Sequence, residues 1–158
     1  MTQITIFGKQ YTILNQKSKI DCVGQKEDTI IIESLNKPEK TLLNEFLSKL
    51  LYDKLFNIYD QIRKEGKIET LGDLDFEIIE KIDGKKERIA KQKGNRILVK
   101  LDAVVLPNGI LRYVVAHELA HSFTRRHTKR FWKIVELICP NYKKAQQSLT
   151  ECTKLMVI

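Results

Sequence analysis

The chain has 158 residues, 42% hydrophobic and 30% charged, with 7 Gly and 3 Pro. This composition excludes collagen-like, low-complexity and disordered chains, and the length predicts a single domain (1–158) that buries about two-thirds of its unfolded surface without staples. Lysine plus arginine number 28 against 20 acids, a net charge of +8, which favours solubility and contact with polyanions.

The first residues, MTQITIFGKQYTIL, lack a basic stretch leading into a long apolar run, so they read as strand rather than signal peptide. ITIF and YTIL form a hairpin about Gly8-Lys9-Gln10, and KIDCV and TIIIESL follow, separated by Gly24 and polar residues. The pattern predicts a small antiparallel sheet of three or four strands over 3–35. A long helix is expected over 38–65, with Pro38 in its first turn, Asn36 or Lys37 as cap and Gly66 as stop. Leu43, Phe46, Leu47, Leu50, Leu51, Leu55, Ile58, Tyr59 and Ile62 recur at spacings of three and four, a stripe suited to the core. Residues 67–101 return to strand: FEIIEKI, a turn at Asp83-Gly84, ERIAKQK, a turn at Gly94-Asn95, then RILVKL. Pro107-Asn108-Gly109 closes this region, with Asn108 capping a helix from about Ile110. A last helix is expected over 128–139, its apolar face formed by Phe131, Ile134, Val135 and Ile138, stopped by Pro140. The tail 145–158 carries no clear signal. The elements together define an α+β class.

Cys22, Cys139 and Cys152 lie far apart with no CxxC pair, which argues against a disulfide framework or a cysteine-ligated zinc ribbon. Three reduced, mostly packed thiols suit a reducing compartment. No apolar run approaches the roughly 18 residues of a membrane span. A cytoplasmic protein is the expectation.

The chemistry is concentrated in HELAHSFTRRHTKRFW, residues 117–132, which holds all three histidines of the chain. His117 and His121 are four apart, so on a helix they share one face and can hold one metal. Glu118 follows the first ligand and can aim its carboxylate at a water on that metal without ligating it. The surrounding LRYVVAHELAH is strongly apolar, which points to a buried helix, where unpaired polar side chains are unfavourable without a partner. His127 is the third candidate ligand. On a continuous helix it would lie about 15 Å from His117 along the axis. Ligand nitrogens on one tetrahedral zinc are only about 3–3.5 Å apart. The chain must therefore leave the helix between 122 and 126 and fold back, although no Gly or Pro marks the turn.

Three protein ligands leave a coordination position open, the catalytic pattern, and imidazoles favour zinc. Such a metal polarises a scissile carbonyl and acidifies a water, from which Glu118 takes a proton for later delivery to the leaving amine. No histidine remains for the oxyanion, which leaves Tyr142, Tyr113, an arginine or the metal alone.

Tyr113-Val114-Val115, HELAH, a five-residue spacer before His127, Phe131-Trp132 and Pro140-Asn141-Tyr142-Lys143 together resemble the YgjP-like family of small zinc metallopeptidases, grouped with the minigluzincins and similar in plan to the WLM and SprT-like proteases. The resemblance, closest over 110–145, implies His117, His121 and His127 as zinc ligands and Glu118 as general base. It also implies a zincin-like fold whose metal helix packs on a small sheet with an edge strand lining the substrate cleft, and a polypeptide substrate. The chain departs from the family's Arg-Trp-Gly-Ser-like stretch, having RIAKQKGNRILVK with no Trp in the corresponding region.

Charge supports a second reading. Residues 81–100 carry eight Lys/Arg against two acids, and 122–144 carry seven against one. Weak nucleic-acid binding through these flanks would suit a protease acting on DNA-bound proteins, or a non-catalytic zinc-stabilised nucleic-acid-binding module. Aromatic residues are not interleaved with the charges as stacking platforms would be, which favours a solvated basic surface.

Overall fold

The computed structural model describes residues 2–68, 74–80 and 88–156. Twelve elements lie along them: β1 Thr2–Ile6, β2 Lys9–Lys17, β3 Cys22–Lys26, β4 Thr29–Ser34, α1 Glu39–Glu65, β5 Asp75–Ile79, β6 Ala90–Lys93, β7 Arg96–Lys100, a 3-10 helix Leu101–Val105, α2 Asn108–His121, α3 Lys129–Ile138 and α4 Tyr142–Met156. The α+β class holds, with two small sheets, but neither is purely antiparallel. The first has the order β1-β2-β4-β3 and the second β5-β7-β6. β2 pairs β4 in parallel, with Ile13 opposite Ile30, and β5 pairs β7 in parallel, with Phe76 opposite Ile97. The hairpins β1–β2, β3–β4 and β6–β7 are antiparallel, but Gly24 lies within β3 opposite Ile31 rather than between the strands, and that turn falls at Glu27-Asp28. The Asp83-Gly84 turn and the end of FEIIEKI lie outside the described residues.

The first hairpin turns at Phe7-Gly8, one residue before the expected Gly8-Lys9-Gln10. Both φ angles are positive, 51° and 84°, the requirement of the tight turn that matches strand twist. Its tip is anchored far along the chain: the N–H of Phe7 donates to the Val104 carbonyl at 2.7 Å and that of Gly8 to Val105 at 3.0 Å. A Cβ on Gly8 would sit 3.1 Å from Cγ of Pro107, the N-cap residue of α2, so only glycine suits both the angle and the approach.

α1 ends as expected, with Gly66 left-handed at φ 67°. Its start differs. Pro38 is the N-cap residue, and neither Asn36 nor Lys37 caps by side chain. Instead Asp21 Oδ1 accepts from the backbone N–H groups of Leu35, Asn36 and Lys37 at 2.6, 3.0 and 3.2 Å. These bonds hold the Asp21 carboxyl below its ordinary pKa, the Leu35 contact foremost.

α1 touches β4, β5, the 3-10 helix and α2. Leu47, Leu51, Leu55, Ile58, Tyr59 and Ile62 of the expected stripe are buried. Leu42 is buried in place of Leu43, which packs at the margin with Phe46 and Leu50. Phe56 and Tyr59 meet Phe76 of β5 edge-on at 5.7 and 6.2 Å. Among the described residues no helix is long and apolar enough to cross a membrane. The cysteines are free; Cys139 is buried and Cys152 half-buried, but Cys22 is exposed rather than packed.

Candidate metal centre

α2 is enclosed by protein: Leu111, Tyr113, Val114, Val115, Ala116, Leu119 and Ala120 are buried. It begins at Asn108 after the N-cap Pro107, so Asn108 is inside the helix rather than its cap. The Pro107 carbonyl accepts from Ile110 and Leu111. Arg112, which the sequence reading passed over, locks the helix in place. Its Nη2 lies 2.8 Å from both carboxylate oxygens of Glu65 at the end of α1, and its Nε donates to the Ile138 carbonyl at 3.0 Å. An arginine inside an otherwise apolar stretch was the available signal.

His117 and His121 occupy successive turns on the partly open side of α2. The helix then ends without Gly or Pro. Ser122 and Phe123 donate to the carbonyls three residues back, Leu119 and Ala120, at 2.9 and 3.1 Å, which tightens the last turn. The chain folds back through 122–127, and Thr128 opens α3, its hydroxyl accepting from the Phe131 N–H at 3.4 Å. This reversal brings His127 to the face of α2: its Nε2 is 3.2 Å from Nε2 of His121. One ring nitrogen from each of His117, His121 and His127 lies within 4.8 Å of the others.

Phe131 forms the floor. It is fully buried, and its ring centroid lies 5.1, 4.7 and 4.8 Å from those of His117, His121 and His127. Trp132 flanks His117 and His127 at 6.2 and 5.8 Å and stacks on Tyr142 at 5.3 Å and 20°. Desolvation, with the neighbouring His117 acting in the same direction, pushes His121 and His127 below the ordinary histidine pKa against the opposing pull of Glu118. The neutral imidazole, the form that binds metal, is thereby favoured.

Glu118 is 4% exposed. Its Oε1 lies 3.3 Å from Nδ1 of His117, while Oε2 is shielded from solvent with no hydrogen-bond partner among the described residues. A buried carboxylate oxygen without a donor is unfavourable by more than the ~1–3 kcal/mol of a neutral group. Three converging imidazole nitrogens beside that orphaned oxygen fit a metal ion with a water that Glu118 contacts. Of the two candidate tyrosines, Tyr113 is buried one turn before His117, its ring 6.0 Å away. Burial, then the charges of Cys139, Glu118 and Tyr142, push Tyr113 up to about 12. Tyr142 is half-buried, held by the Trp132 stack.

A buried helix carrying two histidines one turn apart, a third returned by a tight reversal and a sheltered glutamate define a metallopeptidase-type centre, spaced HExxH-x5-H. The family described as YgjP-like, metallopeptidase domain, matches residues 1–152, and the chain belongs to it. No curated protein sequence matches the chain significantly.

Proposed function

We propose that the chain is a single-domain zinc metalloendopeptidase, with His117, His121 and His127 as ligands and Glu118 as general base. The carrying observation is the convergence of the three ring nitrogens within 4.8 Å next to the unpartnered Glu118 Oε2. A bound zinc would supply Lewis acidity toward the scissile carbonyl and lower the pKa of a water. The residues do the rest. Phe131 and the α2 backbone fix the imidazoles. Glu118, shielded from bulk water, accepts the proton of the attacking water at Oε2 and hands it to the departing amine. β6, an edge of the second sheet that packs beside α2, has one side unpaired among the described residues, on which an extended polypeptide adds as a strand.

Metal analysis of the purified chain should give about one zinc per molecule. Glu118→Gln should keep that zinc and lower hydrolysis of a general protein substrate by at least the ~10²–10⁴-fold typical of losing a general base. A chain that takes up no zinc at neutral pH, or a variant with unchanged turnover, would sink the reading.

A further inference from the structure

The reversal that presents His127 is flanked in the chain by cations. Arg125 and Arg126 precede it, and Lys129, Arg130 and Lys133 follow on α3; all five are exposed. None has an ion-pair partner among the described residues, although the remainder of the chain pairs lysines and arginines with acids repeatedly, as in Lys9–Asp28, Lys37–Glu45 and Lys64–Asp60. The first turn of α3 has no acid, and Glu136 is the one acid among residues 122–144. Helix N-termini carry partial positive charge and favour acids, so clustering cations there sets charge against dipole and cations against each other. No ion pair among the described residues offsets this arrangement; an anion laid across it relieves both.

We infer that the cationic surface around His127, on 125–126 and the exposed face of α3, selects polypeptide substrates bearing acidic residues close to the scissile bond. This inference rests on the peptidase reading above. The choice of an acidic polypeptide over a nucleic acid comes from position. These cations adjoin a candidate metal ligand, so a nucleic acid seated on them would obstruct the substrate's path, whereas carboxylates on the substrate occupy them together with the scissile bond. The spans also match. Extended chain advances about 3.3 Å per residue, so acids two to four residues from the cleaved bond lie roughly 7–13 Å from it. Residues 127 to 133 cover about 9 Å if advanced at helical rise. Exposed ion pairs are individually weak, so the selectivity is the sum of several and disappears as salt screens them.

The test uses the zinc-loaded full chain with Glu118→Gln, which retains substrate. Three labelled probes are titrated: a peptide with a neutral core flanked by glutamates, its glutamine counterpart, and a single-stranded oligonucleotide of the same net charge as the acidic peptide. The acidic peptide should bind about tenfold more tightly than the glutamine peptide at low salt, and about equally near 1 M salt, where the screening length is roughly 3 Å. Lys129→Gln/Arg130→Gln/Lys133→Gln should abolish the difference. Lys26→Gln/Lys40→Gln/Lys49→Gln, an equal change of charge on β3 and α1, should preserve it. Equal affinity for the two peptides, binding of neither, or tighter binding of the oligonucleotide overturns the inference. Zinc content and cleavage of a neutral peptide by the unsubstituted chain separate the two levels. If both are intact without acidic preference, only this inference falls; if both are absent, the peptidase reading falls.

Discussion

Glu118 is the one charged side chain buried among the described residues, and its position sets function against stability. One carboxylate oxygen touches His117, while the other is shielded from bulk solvent and has no donor among the described residues. Protein interiors admit such a group when it acts, because a fold optimised for stability alone would place an apolar side chain there. Methionine has similar length and leaves no orphaned oxygen. Glu118→Met should therefore raise the stability of the metal-free chain by at least about 1–3 kcal/mol, the penalty of a neutral unsatisfied buried acceptor, while abolishing hydrolysis. Urea denaturation of both proteins in chelator measures the difference, and a less stable variant would show that Glu118 already has a satisfying partner. Ser122 Oγ, also shielded and without a partner among the described residues, lies one helical turn beyond Glu118, so among those residues the polar deficit is concentrated beside the candidate centre.

At the scale of elements, α3 earns its place through one side chain. Phe131 contacts all three imidazoles, and the Thr128 cap places it by fixing where α3 begins. Phe131→Ala should destabilise the chain by about 3–5 kcal/mol, as for a fully buried phenylalanine, and weaken metal binding more than Phe131→Leu, which keeps most of the floor. Denaturation together with competition against a chromophoric chelator reads both effects; equal metal affinity in the two variants would remove the floor from the account. The long helix, the hairpins and the HExxH helix were legible because each carries its own period or turn residues. The parallel pairings β2–β4 and β5–β7 were not, since alternation along a strand says which face is buried but not which strand lies alongside. α4 was missed for a compositional reason. Its inward positions include Ala145, Leu149 and Cys152, too small a hydrophobic signal to stand out among the surrounding lysines and glutamines. Spacing nominated the three histidines, but their meeting depends on a reversal built from backbone bonds to Leu119 and Ala120, which no glycine or proline announces.

The molecule as a whole has a core that the candidate metal site joins only at its margin. Ile30, Ile32, Leu51, Leu55, Ile97 and Leu111 are buried without reference to the histidines, and the hairpin tip, Asp21 and Arg112 tie sheets and helices together through bonds that need no metal. Domains whose core is too small fold only around their metal, but a chain of this length buries enough surface without it. The metal-free chain should thus keep its helical far-ultraviolet circular dichroism in chelator. A zinc ion held by the three histidines would join α2 to the reversal before α3, an interaction absent from the unfolded chain, so on the reading proposed above it should raise the midpoint of thermal unfolding. At free zinc about a thousandfold above the dissociation constant the stabilisation is about 4 kcal/mol, which for a domain of this size corresponds to roughly 8–16 °C. His121→Ala should leave the metal-free midpoint close to that of the unsubstituted chain, because the ring is only half-buried, and remove most of the zinc-dependent shift. Scanning calorimetry of both proteins, each with chelator and with zinc, makes the comparison. Loss of helical signal on chelation would mean that the metal holds the fold together, and an undiminished shift in His121→Ala would place zinc elsewhere than on these histidines.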